Sequence, residues 1–348
     1  MTVKHILVLG QYPIDSLDRA PKVRTYRMAE ALARHATVTL ITGTRRQRRP
    51  VLREAWKRGL LKQVDAVYLE SASSTATWTD LRFLWRVKRA GLPLAIFVRD
   101  YYQKFPDLYP TKGPRGHALK VLYEVTLRAY AGCADILYVP TMGLGELLPR
   151  KEVRLLPPGA HYISRPDAVE RGQNPWILYV GAGGAYDGVA VLIDAMRIVH
   201  QTWPNARLAL VMRRQEWPQG TLPAYIQLTE ASGPDLVPWY QRADVAVIPR
   251  PDTAYTRLAW PLKLMDYLSY QIPVVVTDQS EAAQFVERYQ IGLRTPYDAH
   301  ALATGLTQLL DSEPARRQCR VNAADAVRTG HSWDHRALTL LEDLSGKM

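Results

Sequence analysis

The sequence predicts an α/β protein made of two doubly wound parallel-sheet domains. Short continuous apolar runs alternate along the chain with segments of helical periodicity, which is the pattern of strands covered by helices on both faces. The length of 348 residues fits two domains of ordinary size. The run Pro157-Pro158-Gly159 can continue neither a helix nor a central strand, so we expect the domain boundary there.

The first half of the chain carries six predicted strands. They cover residues 5–10, 37–43, 66–70, 94–98, 136–140 and 153–157. Residues 23–34 place apolar side chains at helical spacing between the first two strands, which predicts an opening βαβ unit. Residues 1–160 are therefore interpreted as the N-terminal domain.

The second half repeats this alternation. Predicted strands cover residues 176–181, 207–212, 225–229, 245–249, 273–278 and 291–294, and predicted helices cover 189–202, 239–243, 261–270, 280–288 and 299–311. Residues 161–330 are interpreted as the C-terminal domain, and the polar residues 160–175 as the linker. Ligands of such sheets bind beyond the carboxyl ends of the strands, so we expect the site in the cleft between the two domains.

The positive charge of the chain is concentrated in the first half. The formal net charge is +12. The first 160 residues hold 27 Lys and Arg against 13 Asp and Glu, whereas the rest hold 18 against 20. This asymmetry indicates an anionic partner or surface for the first half alone.

Composition and motifs argue against several classes of protein. Cys133 and Cys319 are too few for a disulfide scaffold or a cysteine-based zinc module. No apolar run approaches the roughly 18 residues of a membrane span, and the opening MTVKHILVLG lacks the features of a signal peptide. We therefore expect a cytoplasmic protein. The sequence contains no Walker A, G-x-S-x-G, H-E-x-x-H or EF-hand pattern, and we expect no nucleic-acid partner.

A dense basic cluster follows the second predicted strand. Its members are Arg45, Arg46, Arg48, Arg49, Arg53, Lys57 and Arg58, with leucine and tryptophan side chains interleaved. Basic residues near an anionic leaflet contribute about 1 kcal/mol each, and aromatic side chains anchor such a segment at the interface. Two interpretations stay open: peripheral docking on an anionic membrane, or amphipathic helices whose arginine faces are solvated.

Residues 260–278, WPLKLMDYLSYQIPVVVTD, carry the most specific pattern. Pro261 suits the first turn of a helix, and Lys263 and Asp266 then lie three residues apart on one helix face. A lysine beside helix amides can hold a phosphate, and a carboxylate one turn later can accept hydrogen bonds from ribose hydroxyls. The alternative is an amphipathic helix with a solvated Lys–Asp pair.

The pattern P-x-K-L-x-D-Y-L-x-x-x-x-P-V-V in this segment resembles the donor-site signature of family 4 glycosyltransferases, which have the GT-B fold of two Rossmann-like domains. The resemblance implies that Asp266 binds the ribose of a nucleotide-sugar and that Lys263 lies near its diphosphate or its sugar. It also implies donor contacts at Arg250 and at Leu258. At the position of Leu258 the family usually has a glutamate.

Residues 177–195 resemble the strand, glycine-rich loop and helix that open the donor domain of this family. The resemblance implies that the backbone at Gly181, Ala182 and Gly183 approaches the diphosphate. Many relatives carry basic side chains at the positions of Ala182 and Asp187. The alternative is a flexible turn that merely connects strand and helix.

The first domain shows the resemblance in its first loop and helix, residues 11–33. It implies that Arg19, Arg24 and Arg27 are available to anionic groups on the acceptor side; the alternative is a solvated basic face. Asp100 follows a strand where several relatives place a sugar-contacting histidine, so it could contact the sugar or accept a proton from the acceptor, or simply cap a helix. Residues 331–348 resemble the closing helix that crosses back to the first domain.

Taken together, the resemblance implies a glycosyltransferase that moves a sugar from a UDP- or GDP-linked donor to a glycan or lipid-linked acceptor. It further implies retention at the anomeric carbon and a role in cell-surface polysaccharide or glycolipid synthesis. Asp100 and Lys263 are the expected catalytic residues, with no cofactor or metal, because helix termini and basic side chains can offset the diphosphate charge. A catalytically degenerate partner subunit, a nucleotide-sugar epimerase and a two-domain solute-binding protein remain as alternatives.

Overall fold

Two compact units make up the chain. The computed structural model describes residues 2–108, 113–149, 152–164, 174–277 and 279–348. Unit 1 comprises Met1–Pro158 with Trp333–Met348, and unit 2 comprises Gly159–Ser332. Each unit is built on one six-stranded parallel sheet flanked by helices, which confirms the predicted fold class.

Unit 1 alternates strands and helices. Strands β1 to β6 are His5–Gly10, Thr37–Ile41, Ala66–Glu70, Leu94–Phe97, Ile136–Val139 and Arg154–Leu155. Helices α1 to α5 are Ala20–Leu32, Arg45–Lys57, Trp78–Arg89, Gly113–Cys133 and Met142–Glu146. The strand order is β2-β1-β3-β4-β5-β6, so the direction of winding reverses between β1 and β3. Ligands of doubly wound sheets bind beside such a reversal.

Unit 2 has the same plan. Strands β7 to β12 are Trp176–Gly181, Arg207–Met212, Ile226–Thr229, Val245–Ile248, Val274–Val276 and Gly292–Arg294. Helices α6 to α11 are Val189–Thr202, Val237–Arg242, Leu262–Ser269, Glu281–Arg288, Ala299–Asp311 and Glu313–Ala326. The strand order is β12-β11-β10-β7-β8-β9, and the winding reverses between β7 and β10. The loops after these two strands therefore flank the expected ligand position.

The last helix, α12 (Trp333–Ser345), is part of unit 1 and packs against α1. Its apolar face is buried through Ala337, Leu340 and Leu344. Arg34, just past the end of α1, places its Nε 2.8 Å from Asp334 Oδ1 at the start of α12. The helix thus completes the core of unit 1 although it follows all of unit 2 in sequence.

Several predicted boundaries shift in the structure. Pro261 precedes α8 as its N-cap residue, with ψ at 120°, and so lies outside the first helical turn. Ala160, predicted as linker, is buried in unit 2, and its amide donates to the carbonyl of His331 at 2.8 Å. The rest of that prediction falls largely on residues 165–173, which lie outside the described residues, as does Asp278 at the end of a predicted strand.

A buried ion pair crosses the interior of unit 1. Arg24 on α1 and Glu70 at the end of β3 are 3% and 1% exposed, and Arg24 Nε lies 3.1 and 3.2 Å from the two carboxylate oxygens. Tyr68 donates its hydroxyl to the same carboxylate at 2.5 Å, and Arg24 Nη2 donates to the carbonyl of Leu156 at 2.9 Å. The guanidinium also lies 3.6 Å from the centre of the Phe97 ring. These contacts tie α1 to three neighbouring segments.

Replacing Glu70 with alanine tests how strongly unit 1 depends on this pair. The substitution leaves a guanidinium buried without its counter-charge, so we expect the free energy of unfolding to fall by about 3 kcal/mol. For a unit of this size the melting temperature then falls by roughly 6–12 °C in calorimetry. Glu30→Ala is the control, because its ion pair with Arg27 is exposed and contributes at most about 0.5 kcal/mol. Equal melting temperatures for the two variants would contradict this account.

Candidate active site

The loops after β7 and β10 approach each other closely in unit 2. Gly188 ends the first loop and caps helix α6 with φ at 70°, a left-handed conformation that side chains rarely adopt. A Cβ at this position would lie only 1.4 Å from the carbonyl oxygen of Pro249, the first residue after β10. Only glycine permits this approach, so the loop is held directly beside the end of the neighbouring strand.

Lys263, in the first turn of α8, lies against the start of the same loop. Its Nζ donates to the hydroxyl of Tyr179 at 3.1 Å and lies 4.1 Å from the centre of that ring. Asp187 Oδ1 lies 3.9 Å from the same Nζ. A Cβ at Gly181 would lie 2.2 Å from Nζ, so the missing side chain at this position makes room for the lysine. The structure therefore brings Lys263 and the glycine-rich loop together.

The position of Lys263 changes its acidity. Its side chain is 14% exposed, and burial lowers its pKa from 10.5 to about 8, an effect that Asp187 opposes and Arg250 reinforces. The lysine therefore loses its charge within the pH range in which enzymes work. An anion at this position would favour the protonated form and would be bound by it.

Two carboxylates bind the backbone amides of the loop. The amide of Gly183 donates to Glu216 Oε2 at 3.2 Å, and the amide of Gly184 donates to Asp187 Oδ2 at 3.2 Å. Arg213 forms an ion pair with Glu216. Successive loop amides of this kind make anion-binding concavities. In this structure the anions that they bind are side chains of the protein itself.

The remaining donor-side residues occupy the two loops and helix α8. Asp266 lies one helical turn after Lys263, and the hydroxyl of Tyr240 donates to its Oδ2 at 3.4 Å. Arg250 is buried, and its Nη1 donates to the carbonyl of Ala259 at 3.4 Å. Leu258 is partly buried in a short turn before α8. The hydroxyl of Tyr179 donates to the carbonyl of Ala182 at 2.6 Å, which fixes the start of the loop.

Two further residues of this site, Tyr179 and Glu216, could not be identified from the sequence. Tyr179 lies inside β7, where strand periodicity predicts only burial, and its hydroxyl nevertheless contacts both the loop and Lys263. Glu216 lies 33 residues from Gly183 in sequence. No pattern in the sequence signals this contact, because it depends on the pairing of β7 with β8.

The acceptor-side arginines differ in their surroundings. Arg24 was predicted to be available to anionic groups, but this prediction is wrong, because Arg24 is buried in the ion pair with Glu70. Arg19 is exposed and lies 3.8 Å from Asp18, and Arg27 pairs with Glu30 at 3.0 Å on the surface of α1. Asp100 follows β4, where its Oδ2 accepts a hydrogen bond from the hydroxyl of Ser73 at 3.2 Å. Asp100 is therefore held by the segment that follows β3.

The basic cluster on α2 is mostly exposed, with one exception. Arg48 was predicted to belong to the exposed basic cluster, but it is buried and its Nη2 lies 3.1 Å from Asp80 Oδ2. It holds α2 against α3, since its charge is paired inside the unit. Arg45 donates to the carbonyl of Thr75 at 2.7 Å. The other five members of the cluster are exposed: Arg46, Arg49, Arg53, Lys57 and Arg58.

Potential metal ligands are not clustered in the part of the chain that the structure describes. No group of three or more His, Cys, Asp and Glu side chains with metal-binding geometry occurs among these residues. His331, one of two histidines near the C-terminus, packs its ring 4.8 Å from Phe285 and 4.7 Å from Tyr289. Its surroundings are aromatic.

The family comparison places the donor-side residues within a known domain. Residues 174–312 match the family described as glycosyl transferases group 1. This match confirms the resemblance drawn from the sequence motifs and indicates a glycosyltransferase. No curated protein sequence matches the chain.

Solved structures share the fold over the whole chain at low sequence identity. Sucrose-phosphate synthase from Thermosynechococcus elongatus is 17% identical with a TM-score of 0.70, and the match covers 99% of this chain and 98% of that one. WaaG, a glycosyltransferase of lipopolysaccharide biosynthesis, is 17% identical with a TM-score of 0.65, covering 98% and 100%. The Anabaena protein HepE, solved with UDP-glucose, is 14% identical with a TM-score of 0.67, covering 98% and 99%. These likenesses establish the two-domain GT-B fold.

The lowered pKa of Lys263 predicts a pH-dependent stability. Below pH 8 the folded chain holds the buried ammonium protonated, at a cost of about 3 kcal/mol relative to a lysine with a pKa of 10.5. Between pH 8 and 10.5 the unfolded chain binds the proton and the folded chain does not, so this cost disappears as the pH rises. The stability of the wild type should therefore increase relative to Lys263→Met across this range.

Urea unfolding of both proteins at pH 7, 9 and 10 measures this difference. Lys62→Met, at an exposed lysine of unit 1, is the matched control and should show a constant difference from the wild type. A difference between wild type and Lys263→Met that does not change with pH would contradict the assignment of a buried, deprotonating lysine.

Proposed function

We propose that this chain, whose second unit carries a group 1 glycosyltransferase domain, transfers a sugar from a nucleoside-diphosphate sugar to a glycan or lipid-linked acceptor. The observation that carries the proposal is the position of the glycine-rich loop and Lys263 beside the winding reversal of the unit 2 sheet. Nucleotide ligands bind at such reversals, with their phosphates at the loop amides. HepE was solved with UDP and with UDP-glucose, which supports a UDP-linked donor; a GDP-linked donor is the alternative.

Each donor-side residue receives a role from its position. Asp266 accepts hydrogen bonds from the ribose hydroxyls, and Lys263 binds the diphosphate. Arg250 and the amides of Gly181 to Gly183 add positive potential at the same place, and Leu258 borders the donor. These groups offset the charge that develops on the leaving diphosphate, so the proposed reaction needs no bound metal.

Unit 1 supplies the acceptor side in this proposal. Asp100 either contacts the transferred sugar or accepts the proton of the acceptor hydroxyl, and Ser73 orients its carboxylate. Arg19 and Arg27 remain as surface cations for an anionic acceptor, whereas Arg24 acts only on stability. Resemblance to family 4 supports retention at the anomeric carbon. The likeness to WaaG supports a role in cell-surface polysaccharide or glycolipid synthesis.

Binding of nucleotides tests the donor assignment. Isothermal titration calorimetry should show binding of UDP or GDP to the wild type, and Asp266→Ala should weaken it at least about tenfold, because the ribose loses its charged acceptor. Asp194→Ala, at an exposed aspartate on α6, removes the same group elsewhere in unit 2 and should bind normally. Failure of both nucleotides to bind the wild type at millimolar concentration, or unchanged binding by Asp266→Ala, would contradict the assignment.

We also propose that unit 1 docks on an anionic membrane through helices α2, α3 and α4, here called the α2–α4 layer. Helix α3 packs against both α2 and α4. The three helices carry 13 Lys and Arg against 3 Asp and Glu, a net charge of +10 out of the +12 of the chain. No described helix is long and apolar enough to cross a membrane.

Exposed apolar side chains on this layer support the same proposal. Eight of the large hydrophobic residues that the chain exposes lie on these helices: Val51, Trp56, Trp78, Trp85, Leu119, Val121, Leu122 and Val125. Trp78 is 77% exposed. The Arg86 guanidinium lies 4.0 Å from the centre of the Trp56 ring, so basic and aromatic groups are next to each other. Tryptophan with arginine is the composition of interfacial segments.

Vesicle co-sedimentation tests the membrane proposal. The wild type should bind phosphatidylcholine vesicles that contain phosphatidylglycerol, and substitution of Arg46, Arg49 and Arg53 by Gln should weaken binding about 100-fold, at about 1 kcal/mol per arginine. Substitution of Arg197, Arg288 and Arg317 by Gln makes the same change of charge on unit 2 and should have no such effect. Equal binding to vesicles without phosphatidylglycerol would contradict the proposal, as would equal binding by the two triple variants.

A further inference from the structure

The groups assigned to the diphosphate are already bound by two carboxylates. Asp187 accepts the amide of Gly184 at 3.2 Å and lies 3.9 Å from Lys263 Nζ, and Glu216 accepts the amide of Gly183 at 3.2 Å. A phosphate oxygen bound at these donors would meet a negative charge.

Both residues are held in place by further contacts. The amide of Asp187 donates to the carbonyl of Gly184 at 2.9 Å, and the next residue, Gly188, is fixed against Pro249. Glu216 is paired with Arg213 and lies in the turn that directly follows β8. Neither side chain is a solvated surface group that would simply move away, because each is only about a quarter exposed.

We propose that Asp187 and Glu216 are specificity-determining residues that set the phosphate charge this donor site accepts. Their carboxylates compete with phosphate oxygens for the amides and for Lys263, so they penalise a ligand in proportion to its phosphate charge. A nucleotide-sugar carries two charges on its diphosphate diester. A free nucleoside diphosphate carries about one more, because its terminal phosphate has a second ionisation near pH 6.

This inference rests on the proposed transferase function and says how the site treats its product. Transfer breaks the bond between the anomeric carbon and the β-phosphate oxygen, forms the bond to the acceptor oxygen and releases the proton of the acceptor hydroxyl. The nucleoside diphosphate left behind carries the additional charge. A site that disfavours this charge binds the intact donor in preference to the product and releases the product readily.

Calorimetry with matched ligands tests the proposal without knowledge of the sugar. The ligands are UDP and its β-methyl ester, or GDP and its β-methyl ester, since the ester keeps the diphosphate but carries one charge fewer. Asp187→Asn should tighten binding of the free diphosphate about tenfold and binding of the ester less than about threefold. Glu216→Gln should change both in the same direction, which keeps the test valid if one variant is unstable.

Asp194→Asn is the control, because it removes an exposed carboxylate of unit 2 that lies on α6 outside the loop. Equal tightening of diphosphate and ester would overturn the charge-selective role, and so would no tightening of either in both variants. Either of these two results overturns this inference alone if the wild type binds nucleotide and Asp266→Ala does not. If neither UDP nor GDP binds the wild type or any of these variants, the proposed function fails as well.

Discussion

The donor side of this molecule depends on the absence of side chains at Gly181 and Gly188. A Cβ at Gly188 would lie inside the carbonyl of Pro249, and one at Gly181 would displace the ammonium of Lys263. Because both positions are bare, the loop after β7 lies beside the end of β10 and beside the first turn of α8. Three separate segments thereby converge on one site.

Charge inside this site is nearly balanced by the protein itself. Lys263 and Arg250 supply positive charge, and Asp187 and Glu216 supply negative charge at the same loop. The strongly basic character of the chain therefore does not come from this site. The excess positive charge lies on the α2–α4 layer of unit 1, next to exposed tryptophan side chains.

The fold could be predicted from the sequence because parallel strands buried on both faces give continuous apolar runs. Helices α6 and α10 were predicted to the residue, as were strands β1, β3, β7 and β8, and the other strands differ by one or two residues at an end. The order of strands in each sheet could not be predicted, since apolar runs carry no information about their neighbours. For the same reason Glu216 was missed, because its contact with Gly183 requires β8 to lie next to β7.

The burial of individual arginines could not be predicted from the sequence. Arg24 and Arg48 have exposed basic neighbours in sequence, such as Arg19 and Arg46, yet both are buried against a carboxylate. Their positions in the helices do not predict this burial, because it depends on the buried partners Glu70 and Asp80, which lie on other elements. The sequence motif identified Lys263 and Asp266. The hydrogen bonds from the loop amides to Asp187 and Glu216 could be identified only from the structure.

The discontinuous composition of unit 1 has a consequence for synthesis. Its core includes Leu340 and Leu344 of α12, which leave the ribosome only after the whole of unit 2. Unit 2 is continuous in sequence and has its full set of strands before that point. It can therefore fold first on the nascent chain, while α1 remains uncovered until the last helix arrives. The entropic cost of closing the insertion grows only with the logarithm of its length, so doubling that length adds only about 0.6 kcal/mol.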